Sequence, residues 1–349
     1  MRPESDKDLA AMIRAASGPL SVTGGASRLH PGEGCGTRID MSGLSGVTLY
    51  EPEALTLVAR AGTPLAEIHA LLAAEGQMLA FEPDPRAGST IGGVAAANAS
   101  GPRRVAAGAC RDAMIGITLV TGAGEIIRNG GRVMKNVTGY DLVKLLAGSR
   151  GQLGALTEIA FKTAPVSPAR AVLRLSGVDR ATAITAMTQA LGGPYDVTGA
   201  GMLPDGCVIL RLEGLAGSVE YRAGTLSAAL GGLGAIETVG HDDDFAALRD
   251  FAVPARPDGT ALWRIVLRPS QAAAMLAGLP GRAAVDWGGA LIWAEAPQGW
   301  RPDLPPGARA ICAYGCAPAM LPPPDAVTAR LNAGLRARFD PRGLFGGGP

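Results

Sequence analysis

Small and hydroxylated residues recur between Pro83 and Pro165 at spacings that suit close contact between backbone and a bulky ligand. The stretch opens with Gly88-Ser89-Thr90-Ile91-Gly92-Gly93 and continues through Asn98-Ala99-Ser100-Gly101. It closes with Gly151-Gln152-Leu153-Gly154 and Thr157-Glu158-Ile159. Gly92, Gly93 and Gly101 lack a Cβ and are free to take positive φ, so their N–H groups can approach a ligand. Successive N–H groups in such turns make concave anion sites suited to a pyrophosphate. Ser89, Thr90 and Asn98 add neutral hydrogen bonds without a fixed counter-charge. A cradle of this length points to a large nucleotide cofactor.

Upstream, Thr23-Gly24-Gly25-Ala26-Ser27 forms a second small-residue string. Alone it would be a turn; a strand-helix-strand pattern separates it from the 88–93 loop, which favours a cofactor loop. The competing reading of Gly88–Gly93 with Asn98 and Gly101 is a Gly/Ala-rich helix packed close to a neighbour. Other nucleotide sites lack their fingerprints: there is no Gly-x-Gly-x-x-Gly and no Gly-Lys-Ser/Thr. Gly32-Glu33-Gly34-Cys35-Gly36 fails the spacing.

The elements that must position these loops follow from periodicity. Asp8–Ala16 reads as a helix, and Leu20–Thr23 as a strand entering the Gly24-Gly25 turn. Leu55–Ala59 alternates as a strand. Pro64–Glu75 carries Leu65, Ile68, Leu71 and Leu72 at helical spacing, with Thr63 as N-cap, Pro64 at the first helical position and Gly76 as C-cap. Gln77–Phe81 suits a returning strand. Ile115–Val120 and Gly124–Ile127 form a hairpin, Tyr140–Ala147 a helix and Leu156–Lys162 a strand. Two prolines in Ala164–Pro168 mark a boundary. Beyond it, strands and helices alternate as a small sheet backed by helices, with no internal repeat. A last helix spans Ala326–Phe339. The expected domains are 1–165, 166–324 and a C-terminal helix, 325–349, returning to the first.

The ordered strings resemble the FAD-binding domain shared by relatives of vanillyl-alcohol oxidase and p-cresol methylhydroxylase. The resemblance takes in Thr23–Ser27 and the 88–101 and 151–159 segments. It includes Asn136-Val137-Thr138-Gly139-Tyr140-Asp141 and a closing Phe339-Asp340-Pro341-Arg342-Gly343-Leu344-Phe345. It is dense over the first half and thin in the second. Chain length and motif wording are most similar to the E-subunit family of bacterial glycolate oxidase. The resemblance implies an α+β, two-domain vanillyl-alcohol-oxidase-type FAD-binding fold with a reduced α+β cap domain.

It implies FAD held by Thr23, Gly24, Gly25, Ala26, Ser27, Gly88, Ser89, Thr90, Gly92, Gly93, Asn98, Gly101, Tyr140, Gly154 and Ile159, the last through its backbone. Relatives that bind flavin covalently through the first loop carry His after the Gly pair. Ala26 stands there, so the FAD is expected to be non-covalent; His30 reads as a loop residue. The implied partners are a larger flavin subunit and an iron–sulfur subunit of glycolate oxidase, with a small 2-hydroxy acid as substrate of the complex.

Dehydrogenation of a 2-hydroxy acid needs a base for the hydroxyl proton and a cation for the carboxylate. Catalytic relatives carry a His-x-Gly-Asp-Gly-Asn-x-His string in the second domain. This chain has none, and His241 is its only histidine after His69. Catalytic residues are therefore unassigned. Rival readings are a self-sufficient FAD oxidoreductase with Arg264 or Arg268 on the carboxylate, and a flavin-fold subunit that only assembles a complex.

Other features are weighed against plainer roles. Tyr140 reads as near-flavin or as half-buried packing, and Arg103-Arg104 as facing pyrophosphate or solvent. Cys312-x-x-x-Cys316 lacks further ligands for zinc or a cluster, so no metal is expected. His241-Asp242-Asp243-Asp244 reads as a solvated helix start. Trp263, Trp287, Trp293 and Trp300 read as core, with an exposed docking surface as the alternative.

The chain has 349 residues, 47% hydrophobic and 18% charged, which describes a folded protein long enough for two domains. Net charge of +1 creates no field for nucleic acid or anionic membrane. No run reaches the ~18 apolar residues of a membrane span. The first residues lack an apolar signal region, and five scattered cysteines suit a reducing compartment. The expected location is cytoplasmic, peripheral at the inner membrane through the complex.

Overall fold

The computed structural model describes residues 1–29, 34–131, 139–253, 257–314 and 319–345. His30, Lys135, Asn136 and Cys316 lie outside the described residues. The chain forms two compact units. Unit 1 takes residues 1–100, 108–166 and 323–349; unit 2 takes 101–107 and 167–322. The sequence boundary at 165/166 falls one residue from the observed one, but the short 101–107 segment folds with unit 2.

Unit 1 contains helices α1 (Asp6–Ala15), α2 (Leu65–Ala74) and α3 (Ile91–Ala97). After α4 (Arg104–Ala107) in the 101–107 segment come α5 (Cys110–Ala113) and α6 (Leu142–Leu146), again in unit 1. Its strands are β1 (Leu20–Thr23), β2 (Thr37–Asp40), β3 (Val47–Glu51), β4 (Thr56–Arg60), β5 (Gln77–Met78), β6 (Met114–Val120), β7 (Ile126–Gly130), β8 (Ala155–Lys162) and β9 (Ala164–Pro165).

β1 and β2 pair in parallel. The main sheet runs β3-β4-β8-β6-β7, all antiparallel. Its inward residues Leu57, Ala59, Ile117, Ile159 and Phe161 pack with Ile68, Leu72, Val94 and Leu146 from the helices in one buried cluster. Alternate residues of a strand share a face, so these positions are the apolar ones.

Thr63 does not cap α2. Pro64 occupies that position without a side-chain bond, while the Thr63 hydroxyl accepts from Gly46 N (2.9 Å) and donates to Arg60 O (2.7 Å). Thr63 thus ties the residue before β3 to the end of β4 instead. The returning strand shrinks to Gln77–Met78.

Unit 2 contains β10 (Ala169–Ser176), α7 (Arg180–Gly192), β11 (Val197–Met202), β12 (Val208–Gly214), α8 (Ala216–Leu230) and β13 (Ala235–Val239). Then come α9 (Asp243–Asp250), β14 (Thr260–Val266), α10 (Pro269–Ala277), β15 (Ala283–Asp286), β16 (Leu291–Pro297) and β17 (Arg309–Tyr314). Its sheet is not small. Eight strands run β13-β10-β12-β11-β15-β16-β14-β17, and the neighbours are antiparallel.

The first four strands and α7 and α8 form a split βαβ unit, β-α-β-β-α-β. The last four strands repeat that strand order with α10 alone. The expectation of no repeat holds for residue wording but not for topology. Val172 and Ile209 face one cluster with Phe245 of α9, while Leu173, Leu175, Leu210 and Leu212 face α7 and α8.

The last helix, α11 (Ala326–Phe339), belongs to unit 1 but is mostly exposed. Only its end packs, through Leu335 and Phe339. Asp340 then accepts from Leu344 N (2.9 Å) and Phe345 N (2.8 Å), turning both side chains into a cluster with Leu9, Ile13 and Ile39. Among the described residues, no helix is long and apolar enough to cross a membrane.

Candidate functional site

Unit 1 holds an open-mouthed cavity, the concave kind of site in which cofactors bind. Three segments build it. The loop after β1 contributes Thr23 through Leu29; α3 and its cap contribute Thr90, Gly92, Gly93, Ala96 and Ala97; the turn into β8 contributes Ser149–Gly151 and Gly154–Leu156.

The two glycine loops touch backbone to backbone. A Cβ on Gly25 would overlap the Gly88 carbonyl, and one on Gly24 would overlap the Thr90 side chain. Thr90 caps α3, its hydroxyl accepting from Gly93 N at 3.3 Å. Arg38 donates from Nε to the Thr23 hydroxyl (2.9 Å) and holds the first loop from outside the cavity.

Gly92 and Gly93 sit in α3 and are not among the positive-φ residues, contrary to the sequence expectation. Close packing is what demands glycine at 92. Gly92 N donates to Ala61 O (2.8 Å), and a Cβ would lie 2.7 Å from the Ala61 Cβ. The competing reading of a small-residue helix packed on a neighbour is therefore also correct. The same helix offers Gly93, Ala96 and Ala97 to the cavity. Gly154 does need its freedom: it has φ 146° where β8 begins.

Of the fifteen expected cofactor residues, Thr23, Gly24, Gly25, Ala26, Ser27, Thr90, Gly92, Gly93 and Gly154 line the cavity. Gly88 and Ser89 stand behind that lining. Gly88 backs Gly25, and Ser89 buries a hydroxyl that has no hydrogen-bond partner. Four others lie elsewhere. Asn98 is the left-handed cap of α3 (φ 49°), and its Oδ1 accepts from Arg111 N. Gly101 belongs to unit 2, where its carbonyl accepts from Trp287 Nε1 at 3.0 Å. Tyr140 is 89% exposed, so its ring is neither packed nor in the cavity. Ile159 is in mid-β8 opposite Ala59 and Ile117, which commits its backbone to the sheet. The cavity meets β8 earlier, at Ala155 and Leu156.

Sequence reasoning passed over Arg28, Arg150, Ala96, Ala97, Ala61 and Met41. Arg28 directly follows the first loop, which was the available signal. Nη2 of Arg28 donates to Asp84 Oδ1 (2.7 Å) and Asp84 O (2.8 Å). Nε and Nη1 are buried without a hydrogen-bond partner. Burial depresses the guanidinium below its usual range, partly offset by Asp84. Arg150 Nη2 donates to the Arg28 carbonyl at 2.6 Å. Among the described lining residues, Arg28 and Arg150 carry charge and none is acidic.

Those features suit FAD. The glycine loops pack against each other and bring backbone to the cavity wall, Val22, Leu156, Ala96 and Ala97 offer apolar surface, and Arg28 and Arg150 supply positive charge.

Unit 2 holds a different arrangement. Arg103 faces neither pyrophosphate nor solvent: it is buried and ion-paired with Glu213. Arg211, fully buried, lies 4.4 Å over the Phe245 ring and reaches Asp242 at 3.1 Å. Asp242 thus leaves the solvated acidic run to join a buried ionic group. Arg104 and Arg264 lie over the Trp287 ring at 4.4 and 5.2 Å, and Trp263 is fully buried. His241, exposed, pairs with Asp243 at 3.2 Å. Among the described residues, no group of side chains could hold a metal ion, and Cys312 is buried with its Sγ 3.0 Å from the Tyr314 carbonyl.

Comparison with known proteins agrees with this geometry. The FAD binding domain family model matches residues 1–130. Glycolate oxidase subunit GlcE of Escherichia coli is 37% identical over 95% of this chain and 92% of that protein. Glycolate oxidase subunit GlcD of Bacillus subtilis is 44% identical over 27% of this chain and 20% of its own length. D-lactate dehydrogenase of Anaerostipes hadrus is 32% identical over 46% of this chain and 35% of its own. Among solved structures, alkyldihydroxyacetonephosphate synthase superposes with a TM-score of 0.69 at 16% identity, covering 99% of this chain and 74% of that one. That likeness concerns fold alone.

Proposed function

The chain belongs to the FAD-binding family of glycolate oxidase subunit GlcE, and from that premise we infer that it is a flavin-carrying subunit of a heteromeric 2-hydroxy-acid dehydrogenase. The observation that carries this reading is the unit 1 cavity, walled by two touching glycine loops and the Gly154 turn. Residues 23–29, Thr90, Gly93, Ala96, Ala97 and Gly154–Leu156 would hold FAD non-covalently there, with Ala26 where a covalent anchor would need histidine. Bound FAD would supply two-electron acceptance from the substrate carbon.

The substrate we assign to the complex is glycolate, converted to glyoxylate with two electrons and two protons passing to the acceptor. This chain's own residues bind and orient; among the described residues of unit 2 we assign no base. His241, the only histidine of unit 2, is exposed and engaged by Asp243. A base for the hydroxyl proton must be positioned against substrate. We therefore assign substrate chemistry to a larger flavin subunit and onward electron transfer to an iron–sulfur subunit. The five cysteines are few and scattered, in keeping with a reducing compartment, so we place the complex on the cytoplasmic side, peripheral to the inner membrane.

The test is anaerobic addition of glycolate to the purified chain and to the co-expressed complex. Flavin absorbance should persist in the first and bleach in the second. Rapid bleaching of the chain alone would make it a self-sufficient oxidoreductase, and absence of flavin from both preparations would leave it an assembly subunit.

A further inference from the structure

On the FAD reading above, we propose that Asp84 is a positioning residue for the cofactor, fastening the loop after β1 to the turn that leads into α3. Asp84 is not among the described lining residues; it acts through residues that are. Arg28, in the lining, sends Nη2 to Asp84 Oδ1 at 2.7 Å and to the Asp84 carbonyl at 2.8 Å. Arg86 sends Nε to the other carboxylate oxygen, Oδ2, at 2.6 Å. Its Nη1 reaches back to the carbonyl of Ser27, another lining residue, at 3.2 Å. One carboxylate thus divides its two oxygens between two arginines, one from each loop.

These ties are long-range: Arg28 and Asp84 stand 56 residues apart, Ser27 and Arg86 59. Ser89 N donates to the Arg86 carbonyl at 3.0 Å, so the fastened turn runs directly into Thr90, the cap of α3. Arg150 brings the third wall to the same point, donating from Nη2 to the Arg28 carbonyl at 2.6 Å. The Arg28, Asp84 and Arg86 side chains are only 9, 15 and 20% exposed, so water competes weakly with their charge-assisted bonds. Backbone contact between Gly25 and Gly88 limits how near the loops can come, and Asp84 supplies the attraction that keeps them there. Charge alone would give Asp84 the opposite effect. A carboxylate near the cavity repels an anionic cofactor, so its value to FAD lies in geometry.

The experiment uses the full chain freed of flavin, as wild type, Asp84→Asn and Arg86→Lys, and measures FAD binding by flavin fluorescence at low salt. Asp84→Asn removes a negative charge, so electrostatics alone would tighten FAD. Loss of the fastening should instead weaken FAD by roughly tenfold or more. At saturating FAD, the visible circular dichroism of the bound flavin should also depart from wild type, because the walls around it have shifted. A role in folding alone would leave that spectrum unmoved. Unchanged or tighter FAD binding overturns the proposal, and so does a wild-type spectrum in saturated Asp84→Asn. Should Asp84→Asn not fold, Arg86→Lys decides, since it keeps the charge but cannot bridge Asp84 and the Ser27 carbonyl at once. It should weaken FAD by at least about threefold, and unchanged affinity overturns the proposal. In each of these results wild type still binds FAD; its failure to bind would sink the FAD reading along with the proposal.

Discussion

Gly25 lies so close to Gly88 that a Cβ built on it would overlap the Gly88 carbonyl oxygen. The two loops that wall the cavity therefore set each other's position. Gly25→Ala should drive them apart and lower the flavin content of the purified protein at least about tenfold. Gly92→Val should also lose flavin, and by a packing route. The added carbons meet Ala61 inside unit 1, which should cost about 1–3 kcal/mol of stability. Absorbance ratios and thermal melts separate the two cases: Gly25→Ala flavin-poor with a modest shift, Gly92→Val flavin-poor with a large one. Native flavin content in either would show the loop is misassigned.

Ala26 lines the cavity and holds a left-handed backbone (φ 55°), but its methyl offers no nucleophile for a flavin bond. Acid precipitation should release all yellow colour into the supernatant. Colour retained in the pellet would require an anchor elsewhere in the chain.

Glu213 carries the electrostatics of unit 2. Burial pushes its carboxyl up, but Arg103 and then Arg211 outweigh that and hold it below the usual carboxylate range. A depressed folded-state value contributes stability above the unfolded value near pH 4.3, and loses it as pH falls through the lower folded one. Glu213→Gln should therefore destabilise unit 2 at pH 7 by on the order of 3 kcal/mol, since it removes the buried carboxylate that Arg103 and Arg211 share. The gap from wild type should close as both are acidified below about pH 4. A gap independent of pH would mean that shape, not charge, matters at this position.

Gly224 lies within α8 with no neighbouring atom near its missing Cβ. Gly224→Ala should stabilise the protein by up to about 1 kcal/mol, the ordinary helix preference, read as a higher denaturant midpoint. Flavin content should not change.

What the sequence determined alone is local. Thr23 through Ser27 follows a strand and must turn, and Thr90 precedes a helix whose first N–H groups need a cap; both strings reach the cavity because neighbours in sequence are neighbours in a loop. The strand–helix alternation beyond residue 166 was likewise legible from apolar spacing. Gly/Ala-rich or short strands such as Val197–Met202 and Ala283–Asp286 were not, because they owe their state to strands on either side and not to their own residues. Arg28 and Arg103 show the same division. Arg28 drew no reading from the sequence, and Arg103-Arg104 read as facing pyrophosphate or solvent. Whether a guanidinium ends in solvent, against Glu213 or half-paired beside Asp84 depends on partners 110 and 56 residues away. Only the folded chain brings those partners together, and only burial makes an unpaired N–H costly enough to signify.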